Sequence, residues 1–246
     1  MNEKLVETLK YLRLNSLLSN WDEYLKFAAK KNFSHARFLT HVIEEEYKLK
    51  KNNARTNKLK RARLPEQLVI ETFPFNRQPK LNKKKIMALY DSLQYMEKNE
   101  NIVWLGGTGC GKTGLATSFL VHAVNQGYTA RYVLFPELVT EFYQSVADHS
   151  EERVQKKYLY YDCLLIDEIG YVEVEPVQVG HFFTLMHKRH KRKTTLITSN
   201  LGFSDWKTFL KNDHLAAALI DRLTENSHVI NMKKCTSLRP KLSSSE

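Results

Sequence analysis

Between Gly106 and Thr113 the chain reads Gly-Gly-Thr-Gly-Cys-Gly-Lys-Thr, a composition suited to holding a polyphosphate. Gly106, Gly107, Gly109 and Gly111 let the backbone curl until its N–H groups converge on an anion. Thr108 and Cys110 fill the positions between them, and Gly114 follows the motif. Lys112 would reach the β- and γ-phosphates, and the Thr113 hydroxyl would coordinate Mg²⁺. Asp167 and Glu168 form a second set, two carboxylates closing the apolar run Cys163-Leu164-Leu165-Ile166. In a phosphate-loop protein such a pair manages the metal and the attacking water. Asp167 would hold Mg²⁺ directly or through water, and Glu168 would polarise the nucleophile. Asn200, at the end of the run Thr194 to Ser199, fits a γ-phosphate sensor, with a turn before Leu201-Gly202 as the alternative. Arg222 would enter a neighbour's site as an arginine finger if copies assemble head to tail; an ion pair with Asp221 or Glu225 is the competing reading. Arg239, near the end of the chain, is placed to contact phosphate in cis.

These residues need a scaffold that brings them to one edge. Asn101 to Leu105 is a short β-branched and aromatic run that empties into the glycine loop. Beyond the loop, Leu115, Ala116, Phe119, Leu120, Ala123 and Val124 recur at helical spacing until Gly127 stops the helix. The pattern then alternates. Strand Ala130 to Phe135 is followed by helices from Pro136 to Tyr158, strand Cys163 to Asp167, helix Pro176 to His190 and strand Thr194 to Ser199. Further helices and a last strand, Val229 to Met232, complete it. Such alternation predicts an α/β fold, a parallel sheet flanked by helices.

With 246 residues and 42% hydrophobic content, the chain can bury a substantial core. A formal charge of +11 favours polyanionic partners, nucleic acid first among them. Cys110, Cys163 and Cys235 are too few and too scattered for a disulfide framework or a zinc site, which suggests a reducing, cytoplasmic setting. The charged N-terminus is unlike a signal peptide, and no apolar run is long enough to span a bilayer.

Ahead of the loop, Leu5, Leu9, Leu12, Trp21, Leu25, Phe38, Leu39, Val42 and Ile43 recur at three- and four-residue steps, predicting a small packed helical unit with Ser34 capping its second or third helix. From Lys48 through Arg63 basic residues run without an acidic one, and Lys51, Arg55 and Lys58 would share one helical face. With Arg61 they form the best candidate for tracking a DNA backbone; a solvated charge run is the alternative. Leu64-Pro65 and the extended stretch Thr72 to Pro79 mark a boundary, giving a helical, basic segment over 1–70 and a nucleotide-binding domain over 71–246. A helix from about Asn82 to Lys98 leads into the first strand. Lys188 to Lys193 is a second basic cluster between helix and strand, read either as a contact for nucleic acid or as a solvated loop, and Ser243 to Glu246 is a short polar tail.

Taken together, these motifs resemble the IstB-like transposition-helper ATPases of bacterial insertion sequences, relatives of DnaC helicase loaders in the AAA+ superfamily. The carriers are Phe73-Pro74-Phe75 with Gln78-Pro79-Lys80-Leu81, Glu100-Asn101, the loop with Leu115-Ala116, and Leu164 to Tyr171. Thr198 to Leu201, Phe203 to Trp206, Asp221-Arg222-Leu223 and His228-Val229-Ile230 complete the set. Gly107 replaces a frequent proline, Cys110 a frequent threonine and Gly114 a frequent histidine. The resemblance implies an AAA+ P-loop ATPase domain behind a small helical domain, using ATP and Mg²⁺. It further implies a homo-oligomer on duplex DNA that recruits and stimulates a separate transposase. By the same resemblance Lys112 and Thr113 bind nucleotide and metal, Asp167 and Glu168 support hydrolysis, Asn200 is the sensor and Arg222 the trans-acting finger. A helicase loader, a passive ATP-gated scaffold and a small-molecule kinase are the rival readings.

Overall fold

The structure is a computed structural model, and it describes residues 1–66 and 68–239; the polar tail noted above lies outside them. The chain divides into two compact units, Met1–Asn57 and Lys58–Glu246.

In the first unit the periodic leucines form α1 (Glu3–Tyr11), α2 (Asn15–Ser19), α3 (Trp21–Lys31) and the start of α4 (His35–Ala62). Asn2 caps α1 by accepting the Leu5 N–H at 2.8 Å. Ser34 accepts the Arg37 N–H at 3.3 Å and so caps α4, one helix later than the spacing predicts. The core of this unit is small. Leu9 and Tyr24 are buried, and the Glu46 carboxylate accepts the N–H groups of Asn15, Ser16 and Leu17, satisfying the start of α2. Leu12, Leu25, Leu39 and Ile43, expected inside the bundle, are exposed: helical spacing marks an apolar face but does not say whether another element covers it.

The second unit follows the predicted alternation. After the short helices α5 (Lys83–Ser92) and α6 (Gln94–Glu97) come β1 (Asn101–Leu105), α7 (Lys112–Asn125), β2 (Ala130–Leu134), α8 (Phe135–Ala147) and α9 (Glu151–Leu159). Then follow β3 (Cys163–Ile169), α10 (Pro176–Arg189), β4 (Thr194–Ser199), α11 (Phe203–Leu210), α12 (Asp213–Glu225) and β5 (Ser227–Asn231). The helix predicted from Asn82 to Lys98 is broken at Leu93, whose φ of 52° is left-handed. The strands form one five-stranded sheet in the order β2-β3-β4-β1-β5, with every pairing parallel. Period-two alternation splits each strand between two layers. Ile102, Trp104 and Leu165 pack under α7, while Val103, Leu105, Leu164 and Ile166 pack against α8, α10 and α12. Because all strands run the same way, β1, β3 and β4 deliver their carboxyl ends to one edge, where an open α/β sheet forms its crevice.

Arg189 departs from the surface reading of the second basic cluster. It is fully buried, and its guanidinium donates to the carbonyls of Tyr158 and Tyr161 at 2.9 Å, to the Thr195 hydroxyl at 3.0 Å and to the Thr194 carbonyl. Burial lowers its pKa to about 10. Arg189→Met is expected to lower unfolding free energy by about 3 kcal/mol, because those buried acceptors lose their donor. A urea midpoint that implies a loss below about 1 kcal/mol would show that water replaces the guanidinium at little cost.

Candidate nucleotide-binding site

β1 ends at the loop, and the Gly106 N–H donates to the Ser199 carbonyl at 3.1 Å, so the loop starts pinned to the end of β4. Gly109 and Gly111 have φ of 77° and 96°, and both are closely surrounded. A Cβ at Gly109 would stand 2.6 Å from the Ser237 hydroxyl, and one at Gly111 would stand 2.6 Å from the Phe73 ring. Only glycine meets both demands. Gly107 has open space around it, and Gly114 lies in the first turn of α7 beside Leu68. Cys110 is buried, its thiol against the Gly107 carbonyl at 3.0 Å. Lys112 is 7% exposed, and its ammonium donates to the carbonyls of Gly106 and Gly107, each at 2.8 Å.

The carboxylate of Asp167 is almost wholly buried and stands among three hydroxyls. Thr113 donates to its Oδ1 at 3.1 Å, Tyr132 donates to its Oδ2 at 3.0 Å, and Thr198 also donates to Oδ1. Burial first, and then the Asp167 charge, push the Tyr132 pKa well above its ordinary value, so the phenol stays a donor. Glu168, next along, is exposed with a φ of 65°, and its N–H donates to the Thr198 hydroxyl at 3.0 Å.

A cavity of about 300 Å³ opens here, lined by Thr108, Gly109, Gly111, Lys112, Thr113, Glu168, Tyr171, Thr198, Leu238 and Arg239. Loop, carboxylate and Arg239 are thus brought together. Asn200 and Arg222 are not among its lining residues. Asn200 follows β4 beside Gly170, and its buried Oδ1 has no hydrogen-bond partner among the described residues. Arg222 lies on α12 with its guanidinium 4.9 Å from the Phe183 ring centre, donating to the Ala218 carbonyl at 2.9 Å and to His187 Nδ1 at 3.2 Å. Glu225, weighed as its ion-pair partner, instead meets Lys191 and His190.

Sequence reasoning assigns no individual role to Tyr132, Thr198 or Gln78, although Thr198 and Gln78 stand within motifs that carry the resemblance. The first two carried a signal, since hydroxyls within the buried strands of a parallel sheet need a partner at the sheet's edge or in a neighbouring strand. Gln78, 1% exposed, joins the two ends of the domain. Its Nε2 donates to the carbonyls of Cys110 at 3.2 Å and Thr236 at 2.7 Å, while its Oε1 accepts the Thr236 N–H. The Leu238 N–H donates to the Gly109 carbonyl at 2.8 Å, which lays the segment bearing Arg239 along the loop.

The basic run is distributed. Lys51 and Arg55 are exposed on α4 in the first unit. Lys58 is half-buried, its ammonium on the Gly127 carbonyl just past the end of α7, where unpaired carbonyls attract a cation. Arg61 is exposed, and its carbonyl accepts from Arg131 at 3.2 Å.

The donor set fits a nucleoside triphosphate with a hard cation. Loop amides at the start of a long buried helix suit phosphate, and the Thr113 hydroxyl beside the Asp167 carboxylate is oxygen chemistry appropriate to Mg²⁺. No helix among the described residues is long and apolar enough to cross a membrane.

A family model described as IstB-like ATP binding protein matches residues 7–245. The ATP-binding protein assigned to insertion sequence IS21 of Pseudomonas aeruginosa is 31% identical over 225 residues, 92% of this chain and 84% of that protein. Among solved structures, AMPPCP-bound DnaA from Aquifex aeolicus superposes with a TM-score of 0.58 at 17% identity, covering 72% of this chain and 53% of its own. The DnaC helicase loader gives 0.52 at 18% identity, covering 61% and 87%. These likenesses show the fold, a parallel sheet flanked by helices as in AAA+ phosphate-loop domains.

Proposed function

The chain belongs to the IstB-like ATP-binding protein family, and from that premise and the geometry of its loop we propose that it hydrolyses ATP to control its own assembly on duplex DNA. There it recruits and stimulates a transposase encoded by the same element. The observation that carries the reading is that Lys112, Thr113, Glu168 and Arg239 line one cavity, with Asp167 bonded to Thr113 at its base. In that arrangement the loop amides and Lys112 bind the phosphates, Arg239 adds a cation in cis, and Thr113 with Asp167 holds Mg²⁺. The ion, when bound, neutralises charge on the β- and γ-phosphates. Glu168 takes a proton from the attacking water. The new bond from water oxygen to the γ-phosphorus forms as the bond to the β–γ bridging oxygen breaks, giving ADP and inorganic phosphate.

Support for the DNA partner comes from the +11 charge and from the exposed Lys51 and Arg55. Support for self-assembly comes from Leu39, Ile43 and Tyr47, each at least 59% exposed and spaced four residues apart on α4. The insertion-sequence relative favours a transposase as partner. The DnaC-like fold keeps a helicase loader as the second reading, and capture of a replicative helicase instead of the transposase would favour it.

The test is ATP turnover with and without duplex DNA across a salt series. Turnover is expected to rise with DNA, and the logarithm of DNA affinity is expected to fall linearly with the logarithm of salt concentration. Lys51→Ala and Arg55→Ala are each expected to lower that slope by about 1. ATP binding without turnover under any condition would point to the passive scaffold or to an absolute need for the transposase, and slopes unchanged in both variants would move the DNA contact off α4.

A further inference from the structure

The β3–β4 ladder slips beside the two carboxylates. Ile166 pairs with Ile197, and the next pair is Ile169 with Ser199, so Asp167 and Glu168 together face the single residue Thr198. That is a β-bulge, a device that re-aims a side chain where a strand's pairing is interrupted. At this bulge Glu168 takes a φ of 65°, a conformation that a residue with a Cβ holds only when its surroundings fix it. Thr198 is what fixes it. The residue is 1% exposed, and its hydroxyl accepts the Glu168 N–H at 3.0 Å and gives its one proton to Asp167 Oδ1. A hydroxyl has one donor and two acceptor positions, so it can bridge an N–H to a carboxylate where a carbonyl or an ammonium cannot.

From this geometry we infer that Thr198 is a positioning residue for hydrolysis: it locks the backbone of Glu168, and so the direction of its carboxylate, to the carboxylate of Asp167. The inference rests on the reading that Asp167 and Glu168 act on ATP. Its consequence is that the water-activating group and the metal-holding group share one register. The Asp167 oxygen that accepts from Thr198 also accepts from Thr113, so displacement at the Thr113 side reaches Glu168 through a single hydroxyl. Thr198 borders the cavity, but in this role it acts through its bonds to Glu168 and Asp167 and needs no contact of its own with phosphate or water. Its loss therefore acts on the chemical step more than on binding.

Thr198→Val keeps the shape and removes both hydrogen bonds, whereas Thr198→Ser keeps the bonds and removes a methyl group. In the full chain with duplex DNA, Thr198→Val is expected to lower kcat about 100-fold. KM and the affinity for a fluorescent ATP analogue are expected to change less than about 3-fold, with Thr198→Ser restoring most of kcat. In a Glu168→Gln background Thr198→Val is expected to add little further loss, because the carboxylate it aims is already gone. Thr198→Ala, with the same expected loss, serves if the valine variant does not fold by circular dichroism.

Wild-type kcat in Thr198→Val, equal losses in kcat and affinity, no rescue by serine, or a loss that adds fully to that of Glu168→Gln would each overturn the assignment. A wild-type chain that binds the analogue but does not turn over fails differently. It removes the hydrolysis reading itself, and this role with it.

Discussion

Arg222→Ala is expected to lower DNA-stimulated ATP turnover by about 1,000-fold, the low end of what an arginine finger supplies, while nucleotide affinity stays within a few-fold of wild type. The argument starts from where the side chain is. Arg222 is not among the residues lining its own chain's cavity. It is held on the flank of α12, over the Phe183 ring and bonded to Ala218 and His187. A guanidinium stacked on an aromatic ring is pre-organised, so presenting it to a neighbour loses less side-chain entropy than a free arginine would. In a head-to-tail assembly it would complete the next subunit's site and stabilise charge on the transferring phosphoryl group. The decisive form of the experiment mixes two inactive variants. Arg222→Ala retains an intact Glu168, and Glu168→Gln retains an intact Arg222, so a mixed oligomer contains some complete sites. Recovered turnover in the mixture is the expected result. A mixture as inactive as its components, or Arg222→Ala alone at wild-type rate, would sink the trans role.

What the sequence made readable, and what it hid, follows from the range of the forces involved. The loop and its flanking strand and helix are local, since glycine freedom, β-branched runs and 3.6-residue spacing act within a dozen residues. Asn101 to Leu105 and Lys112 to Asn125 accordingly form as expected. The alternation of apolar strands with helices carried the parallel sheet for the same reason. Three features escaped because they depend on what meets what across the fold. Leu93 turns left-handed between α5 and α6 with no glycine to announce it. Arg189, one basic residue among several in its run, is drawn inward by carbonyls from α9 and the turn after it. Thr198 and Tyr132 look like ordinary strand residues until the register brings both hydroxyls to Asp167. The first unit shows the converse error. Helical periodicity identified its leucines as one class, yet it cannot distinguish an inward face from a face left open, and Leu39 and Ile43 stand on the open one.

Glu168→Gln is expected to lower turnover by roughly 100- to 10,000-fold, the usual contribution of a positioned general base, and to prolong ATP-dependent assembly on DNA. The substitution is close to a pure removal of proton affinity. Glutamine has the same length, the wild-type side chain is exposed so no packing is disturbed, and the backbone N–H that meets Thr198 is unchanged. Asp167 is a poorer place to ask the question. Its buried carboxylate accepts from three hydroxyls, so Asp167→Asn would put an amide donor against Thr113, Thr198 or Tyr132 and mix a folding defect with the catalytic one. The informative readout in Glu168→Gln is the pairing of two quantities in one sample, phosphate release and the lifetime of the DNA-bound oligomer. If hydrolysis loosens the assembly, turnover falls and lifetime rises together. Lost turnover with an unchanged lifetime would separate hydrolysis from disassembly, and full turnover would mean that another group takes the proton from water.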